Sequence, residues 1–255
     1  MTVATALVLA GSRGPDEPLA VYGGVSHKAM IEVGGKPMLV RVVEALGAAG
    51  IGRIVVVIER PELVEALGLP GVETFPAATG PSASVQAALE AFGTPLLVTT
   101  ADHALLRPEW VRALLEGVPA GADIAAGLAR SEVVMAAAPD TRRTFLRFSD
   151  GAFSGCNLFY FATPASKGVA ALWREVEAQR KHPLKLLARL GPLTAARYAT
   201  GTLSLRAALD RLGALAGVRA EAVELPFGQA AIDVDKPADL DLVRRILGDA
   251  PLGPS

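Results

Sequence analysis

The first hundred residues alternate between two apolar patterns. Short unbroken runs at Thr5 to Ala10, Arg53 to Glu59 and Pro95 to Thr100 are bounded by turn residues, as strands buried on both faces require. Between the first two, Met38, Leu39, Val42, Val43 and Leu46 recur at helical spacing after Pro37, whose fixed φ suits a first turn. Similar spacing predicts helices over Pro61 to Leu67, Ser84 to Phe92 and Pro108 to Leu115. Helical crossovers between strands wire a parallel sheet, so the pattern predicts an α/β architecture.

The pattern changes after that. Strands are predicted at Ile124 to Ala129, Val133 to Ala138, Arg143 to Phe148 and Gly155 to Phe161, close enough in succession to imply an antiparallel extension. Pro164 to Tyr198 reads as helix, broken at His182 and Pro183, and Ser204 to Leu215 as another. Arg219 to Phe227 then predicts a late strand and Pro237 to Leu247 a closing helix. With no internal repeat and no long linker, residues 1–255 are expected to form a single domain with a helical decoration at about 164–216.

Composition narrows the class. Apolar residues make up 51% of 255 positions, enough for a sizeable core. The longest strictly apolar run, Val133 to Ala138, is far shorter than the roughly 18 residues of a membrane span, so no transmembrane segment is expected. No basic residue precedes the apolar stretch of MTVATALVLAG, which predicts no secretory leader and a cytoplasmic location. The single Cys156 excludes an intrachain disulfide and reads as a small buried residue. A net charge of −1 gives no global field for nucleic acid. Locally, Pro164 to Tyr198 holds Lys167, Arg174, Arg180, Lys181, Lys185, Arg189 and Arg197 against Glu175 and Glu177. That stretch is either a solvated face or a lid or partner surface that draws in a phosphorylated acceptor or meets an anionic membrane surface.

The segment LVLAGSRGPDEPLAVYGGVSHKAMIEVGGKPMLVRVVEAL orders a strand, a Gly-rich loop, a lysine, a Gly-Gly-Lys-Pro turn and a helix. Glycine lets backbone N–H groups approach phosphate oxygens, and Arg and Lys add charge, so the arrangement suits a triphosphate. Neither G-x-G-x-x-G nor G-x-x-x-x-G-K-[ST] is present, which sets aside dinucleotide-binding and Walker-type readings.

The order resembles the nucleotidyltransferase family that holds molybdopterin guanylyltransferase, molybdopterin cytidylyltransferase and sugar-phosphate nucleotidyltransferases. Leu9, Ala10 and Gly11 match the start of its signature, Lys28 its lysine, and Gly35, Lys36 and Pro37 its end. Ser12 stands where a second glycine is usual, and Arg13 is followed by a longer loop than the family pattern has. Gly80 and Ser84 resemble the family's G-x-S-V helix start. TTADHALLRPEWV resembles its aspartate motif, with Ala101 beside Asp102 and Ala104 in place of a proline. IDVDKPADL resembles its acidic ending, with Asp233 and Asp235. The resemblance implies a Rossmann-like fold of the glycosyltransferase A type, a mostly parallel sheet flanked by helices. It also implies an enzyme that moves an NMP group from an NTP to a phosphorylated small-molecule acceptor and releases pyrophosphate. By the same resemblance, Leu9, Ala10, Gly11, Ser12, Arg13, Lys28, Gly80, Ser84 and Ala101 bind nucleotide, Lys28 and Asp102 are catalytic, and Asp102, Asp235 and Asp233 hold Mg²⁺. Asn157 falls where related enzymes place acceptor-binding groups.

The chemistry fits those residue types. Attack on the α-phosphorus gathers negative charge on oxygens that Mg²⁺ neutralises, and Mg²⁺ takes one or two carboxylates plus phosphate oxygens and water. A phosphate nucleophile is already ionised at neutral pH, so no general base is required. Simpler readings stand beside each assignment. Asp102 is also a common loop residue, Asp233 and Asp235 also suit the turn before a Pro-x-Asp-Leu helix, Asp239 suits a helix first turn, and His103 a polar loop. Two other functions stay open: a glycosyltransferase consuming a nucleotide sugar, and a catalytically silent nucleotide-binding or regulatory domain. A homo-oligomer stays open as well.

Overall fold

The computed structural model describes residues 5–12, 14, 17–178 and 191–249. The chain runs through β1 (Thr5–Leu9), α1 (Pro18–Tyr22), β2 (Glu32–Val33), β3 (Lys36–Pro37), α2 (Met38–Ala48), β4 (Arg53–Ile58), α3 (Pro61–Glu65), β5 (Val72–Pro76), α4 (Pro81–Phe92), β6 (Leu96–Thr100) and α5 (Pro108–Gly117). It continues through β7 (Ile124–Arg130), α6 (Ser131–Ala137), β8 (Leu146–Phe148), β9 (Gly151–Phe161), α7 (Lys167–Ala178), α8 (Pro192–Ala199), α9 (Leu205–Ala216), β10 (Ala220–Glu224) and α10 (Pro237–Leu247).

The main sheet has the order β10-β7-β9-β6-β1-β4-β5, with β8 on β9. β1 pairs in parallel with β4 and β6, β4 with β5, and β7 with β10, whereas β9 runs antiparallel to β6, β7 and β8. The mostly parallel α/β expectation holds, and so does the antiparallel extension. Burial on both faces explains the unbroken runs: Ala6 and Val8 belong to the core on one side of β1 and Leu7 to the core on the other, as do Val56 and Val55 of β4. Helices α2 and α5 pack together, and so do α4 and α7.

The expected strand Val133 to Ala138 falls instead in helix α6, which ends at Ala137. Val134 is buried while Met135, Ala136 and Ala137 are exposed, and three consecutive alanines favour helix. The segment also seats against the turn Gly228–Ala231, where a Cβ on Gly228 would lie 2.1 Å from the Val133 carbonyl oxygen. The strand expected from Arg143 to Phe148 begins only at Leu146, which frees Arg143 to turn inward. Edge strand β5 escaped the periodicity because its residues are half-buried or exposed, so no apolar run marks it. Among the described residues, no helix is long and apolar enough to cross a membrane.

Candidate functional site

Three parallel strands converge on the site. Past their ends the Ala10 N–H donates to the Val57 carbonyl and the Ala101 N–H to the Leu9 carbonyl, each at 2.9 Å, which sets the β1 loop beside the β6 loop. Ligands of open α/β sheets bind at such carboxyl ends. Leu9 is half-buried, Ala10 and Ala101 are buried backbone shapers, and Gly11 is exposed with open space around the position a Cβ would take. The Ser12 hydroxyl donates to a Glu17 carboxylate oxygen at 2.6 Å and its N–H to Glu59 at 3.3 Å, so two carboxylates brace this loop. Arg13 lies outside the described residues, as do Arg180, Lys181, Lys185 and Arg189.

Lys28 opens a short turn, Lys28–Met30, capped by His27, whose Nδ1 accepts the Ala29 N–H at 3.1 Å. That bond leaves the ring proton on Nε2, which faces Glu59 Oε1 at 3.2 Å. Burial lowers the His27 pKa, with Glu59 working the other way, so the ring is a neutral brace at neutral pH.

The cap aims Lys28 at two carboxylates. Its Nζ donates to Asp102 Oδ2 at 2.5 Å and stands 3.7 Å from Asp235 Oδ1. Burial opposes the charge, but Asp102, its hydrogen bond and Asp235 more than offset it, and the ammonium is held above its ordinary pKa. The side chains of Lys28 and Asp102 are only 16% and 13% exposed, against 66% for Asp235. The segment bearing Asp235 is tied on by the Val234 N–H, which donates to the Asp102 carbonyl at 3.0 Å. Asp102 Oδ1 is buried without a hydrogen-bond partner, an orphaned anionic oxygen beside a second carboxylate. Such hard oxygens fit Mg²⁺. Among the described residues no group of three or more His, Cys, Asp or Glu is placed to hold a metal, so an ion here would draw further ligands from phosphate and water.

Asp233 is engaged by other partners. One oxygen is bonded by Arg143 and the other accepts from Asn157 Nδ2 at 2.5 Å. Burial pushes its carboxyl up to about 6, against the pull of Arg143. Asn157 has φ +48°, the one described non-glycine residue with positive φ, because β9 carries extra chain there. Ala126 pairs with Phe159 and Leu128 with Gly155, so Cys156, Asn157 and Leu158 oppose Gly127 alone.

The remaining candidates build walls. Gly80 is the extended N-cap of α4, and the Ser84 hydroxyl accepts the Ala78 N–H at 3.0 Å, closing that loop. His103 lies in the loop after β6 as expected but is fully buried and stacked on Trp110, and burial pushes its pKa down to about 4. Asp239 accepts the N–H groups of Asp235 and Lys236 at 3.2 Å each, which fixes the Asp235 loop onto α10. Cys156 is buried and its thiol is pushed up to about 12 by burial. Beyond Asp235 opens a polar cavity of about 350 Å³ that Arg142, Arg143 and Lys236 help to line, none of which the sequence motifs marked. The adjacent arginines of TRRTF, polar between apolar runs, were the available signal.

Comparison with known proteins agrees with this fold. A hypothetical transferase from Thermus thermophilus, solved as a structure, superposes with a TM-score of 0.82 at 34% identity, over 94% of this chain and all of that one. The chain is 27% identical to a 3-deoxy-manno-octulosonate cytidylyltransferase of Chelativorans sp. (strain BNC1), over 94% of this chain and 93% of the relative. It is 29% identical to one of Rhodopseudomonas palustris (strain BisB5), over 87% and 91%. The family model for the MobA-like NTP transferase domain matches residues 6–216. The chain belongs to the family of MobA-like NTP transferase domains, and so to the nucleotidyltransferases.

Proposed function

We propose that this protein transfers an NMP group from an NTP to a phosphorylated small-molecule acceptor with release of pyrophosphate, and that the nucleotide is CTP. The observation that carries the reading is Lys28, held between Asp102 and Asp235 at the carboxyl ends of the parallel strands beside the open β1 loop. The choice of CTP rests on the two octulosonate cytidylyltransferases. An acceptor oxygen attacks the α-phosphorus, the bond to the β-phosphate bridge breaks, and the electron pair leaves with pyrophosphate.

The residues supply positioning and charge. Gly11 and Ser12 offer backbone N–H groups to phosphate oxygens, and a bound phosphate takes the place that Glu59 holds at Ser12. The Lys28 ammonium stays protonated and pairs with triphosphate oxygens as charge builds on the departing pyrophosphate. Asp102 and Asp235 hold Mg²⁺, which supplies charge neutralisation on the phosphates when bound. Both oxygens of Asp233 are already engaged, so its part is to hold Arg143 and Asn157 in place. The names of the two relatives favour a second reading of the acceptor alone, in which its anionic group is the carboxylate of a sugar acid.

Pyrophosphate release is to be measured with each of the four NTPs, Mg²⁺, and panels of sugar phosphates and sugar acids. Release with CTP and one acceptor class is expected, together with a rise in Tm on adding CTP and Mg²⁺. If no NTP yields pyrophosphate or raises Tm, the reading falls.

A further inference from the structure

The polar cavity beyond Asp235 is lined by three cations and two carboxylates, and two of those cations enter no ion pair among the described residues. It is lined by Arg142, Arg143, Ser154, Asp235, Lys236 and Asp239, among others, and encloses about 350 Å³. Asp235 faces Lys28 at 3.7 Å. Asp239 spends Oδ2 on the N–H groups of Asp235 and Lys236. Arg143 is paired with Asp233, and its Nε is buried without a hydrogen-bond partner. Arg142 and Lys236 form no ion pair among the described residues. Two cations and part of a third thus flank a space that opens directly beside the carboxylate pair of the site.

Unpaired cations at the rim of a cavity focus the local field and draw in an anion. Its size fits one oxyanion-bearing sugar-sized group, below the scale of a nucleotide with its triphosphate. We propose that this cavity is the acceptor's oxyanion site, with Arg142 and Lys236 as its specificity-determining residues and Arg143, anchored by Asp233, as the fixed wall against which the anion is placed. This rests on the nucleotidyl-transfer reading for the word acceptor, though the anion binding itself does not. Phosphate and carboxylate share the chemistry, since guanidinium and ammonium groups donate to either. Arg142 reaches from an exposed loop and Lys236 from the N-cap of α10, so both can be changed without opening the core.

The test titrates the full chain with inorganic phosphate, with acetate and with neutral glycerol at low salt, reading the backbone amide signals of Arg142 and Ser154. Saturable shifts with phosphate or acetate and none with glycerol are expected. The probe that saturates at lower concentration identifies the anionic group as phosphate or carboxylate. The doubly substituted R142Q/K236Q protein, checked for an unchanged Tm, is expected to weaken that binding about fivefold or more, as loss of two charge-assisted contacts requires. The Tm rise given by CTP with Mg²⁺ is expected to be equal in the substituted and unsubstituted proteins. Absence of the shifts, or shifts undiminished in R142Q/K236Q, overturns the oxyanion site. A missing response to every NTP, with the anion shifts intact, overturns the transfer reading and leaves the site standing.

Discussion

The two halves of the sheet solve different problems. On the β1, β4 and β6 side, parallel strands buried on both faces end at one level, and helix crossovers return the chain so that short loops meet at one edge. Regularity does the positioning there: Gly11 and Asp102 need only follow a strand to arrive together. On the β7, β9 and β10 side, β9 reverses direction and bulges, and the proposed acceptor cavity depends on irregularity. Asn157, Arg143 and Asp233 come from a bulge, a loop and a distant turn, and they meet through side chains rather than through the sheet. A regular scaffold fixes where a charged ligand sits. An irregular one decides which partner is presented to it.

The deepest break in this comparison comes from the regular half. Asp102→Asn keeps side-chain size but removes the charge that Lys28 pairs with and that the proposed Mg²⁺ would use. Turnover is expected to fall on the order of a thousandfold while the fold persists. Steady-state pyrophosphate release together with Tm checks this, and an active D102N enzyme removes Asp102 from the site.

The two lysines of the first loop give the next contrast. Lys28 is enclosed between carboxylates, whereas Lys36 is half exposed and paired with Glu44 at 2.7 Å on the surface. Lys28→Ala is expected to lower kcat/KM for the NTP on the order of a hundredfold, and Lys36→Ala by less than about threefold. Equal effects would place the phosphate loop elsewhere.

What the sequence disclosed follows the same division. Thr5 to Ala10 and Pro95 to Thr100 were readable because two-sided burial leaves an apolar run, and Asp102 because it follows such a strand. Lys28, Asp102 and Asp235 were marked by the resemblance, and their pairing only by the fold. Arg143 had only the paired arginines of TRRTF as its signal, since its bond to Asp233 depends on the chain departing from the strand that its apolar neighbours suggested. Val133 to Ala138 misled because apolar content alone does not separate a short helix from a strand. The deciding contact, Gly228 against Val133, comes from a remote turn. The conformation of Asn157 was not readable, because a register shift in β9 is a property of two strands together.

The smallest effect sharpens the irregular half by separating strain from bonding at Asn157. Its φ of +48° disfavours a residue with a Cβ by about 1–2 kcal/mol, a cost asparagine bears better than most. Its Nδ2 also satisfies one oxygen of buried Asp233, and losing that donor costs about 1–3 kcal/mol. Asn157→Ala suffers both and is expected to lose about 2–4 kcal/mol in urea unfolding at neutral pH. Asn157→Gly loses the same hydrogen bond but relieves the backbone, so its loss is expected to be about 1–2 kcal/mol smaller. Because Asp233 anchors Arg143, both variants are expected to raise the acceptor KM more than the NTP KM. Equal stabilities for N157A and N157G would show that the bulge stores no strain. An unchanged acceptor KM in both would detach Asn157 from the cavity that Arg143 lines.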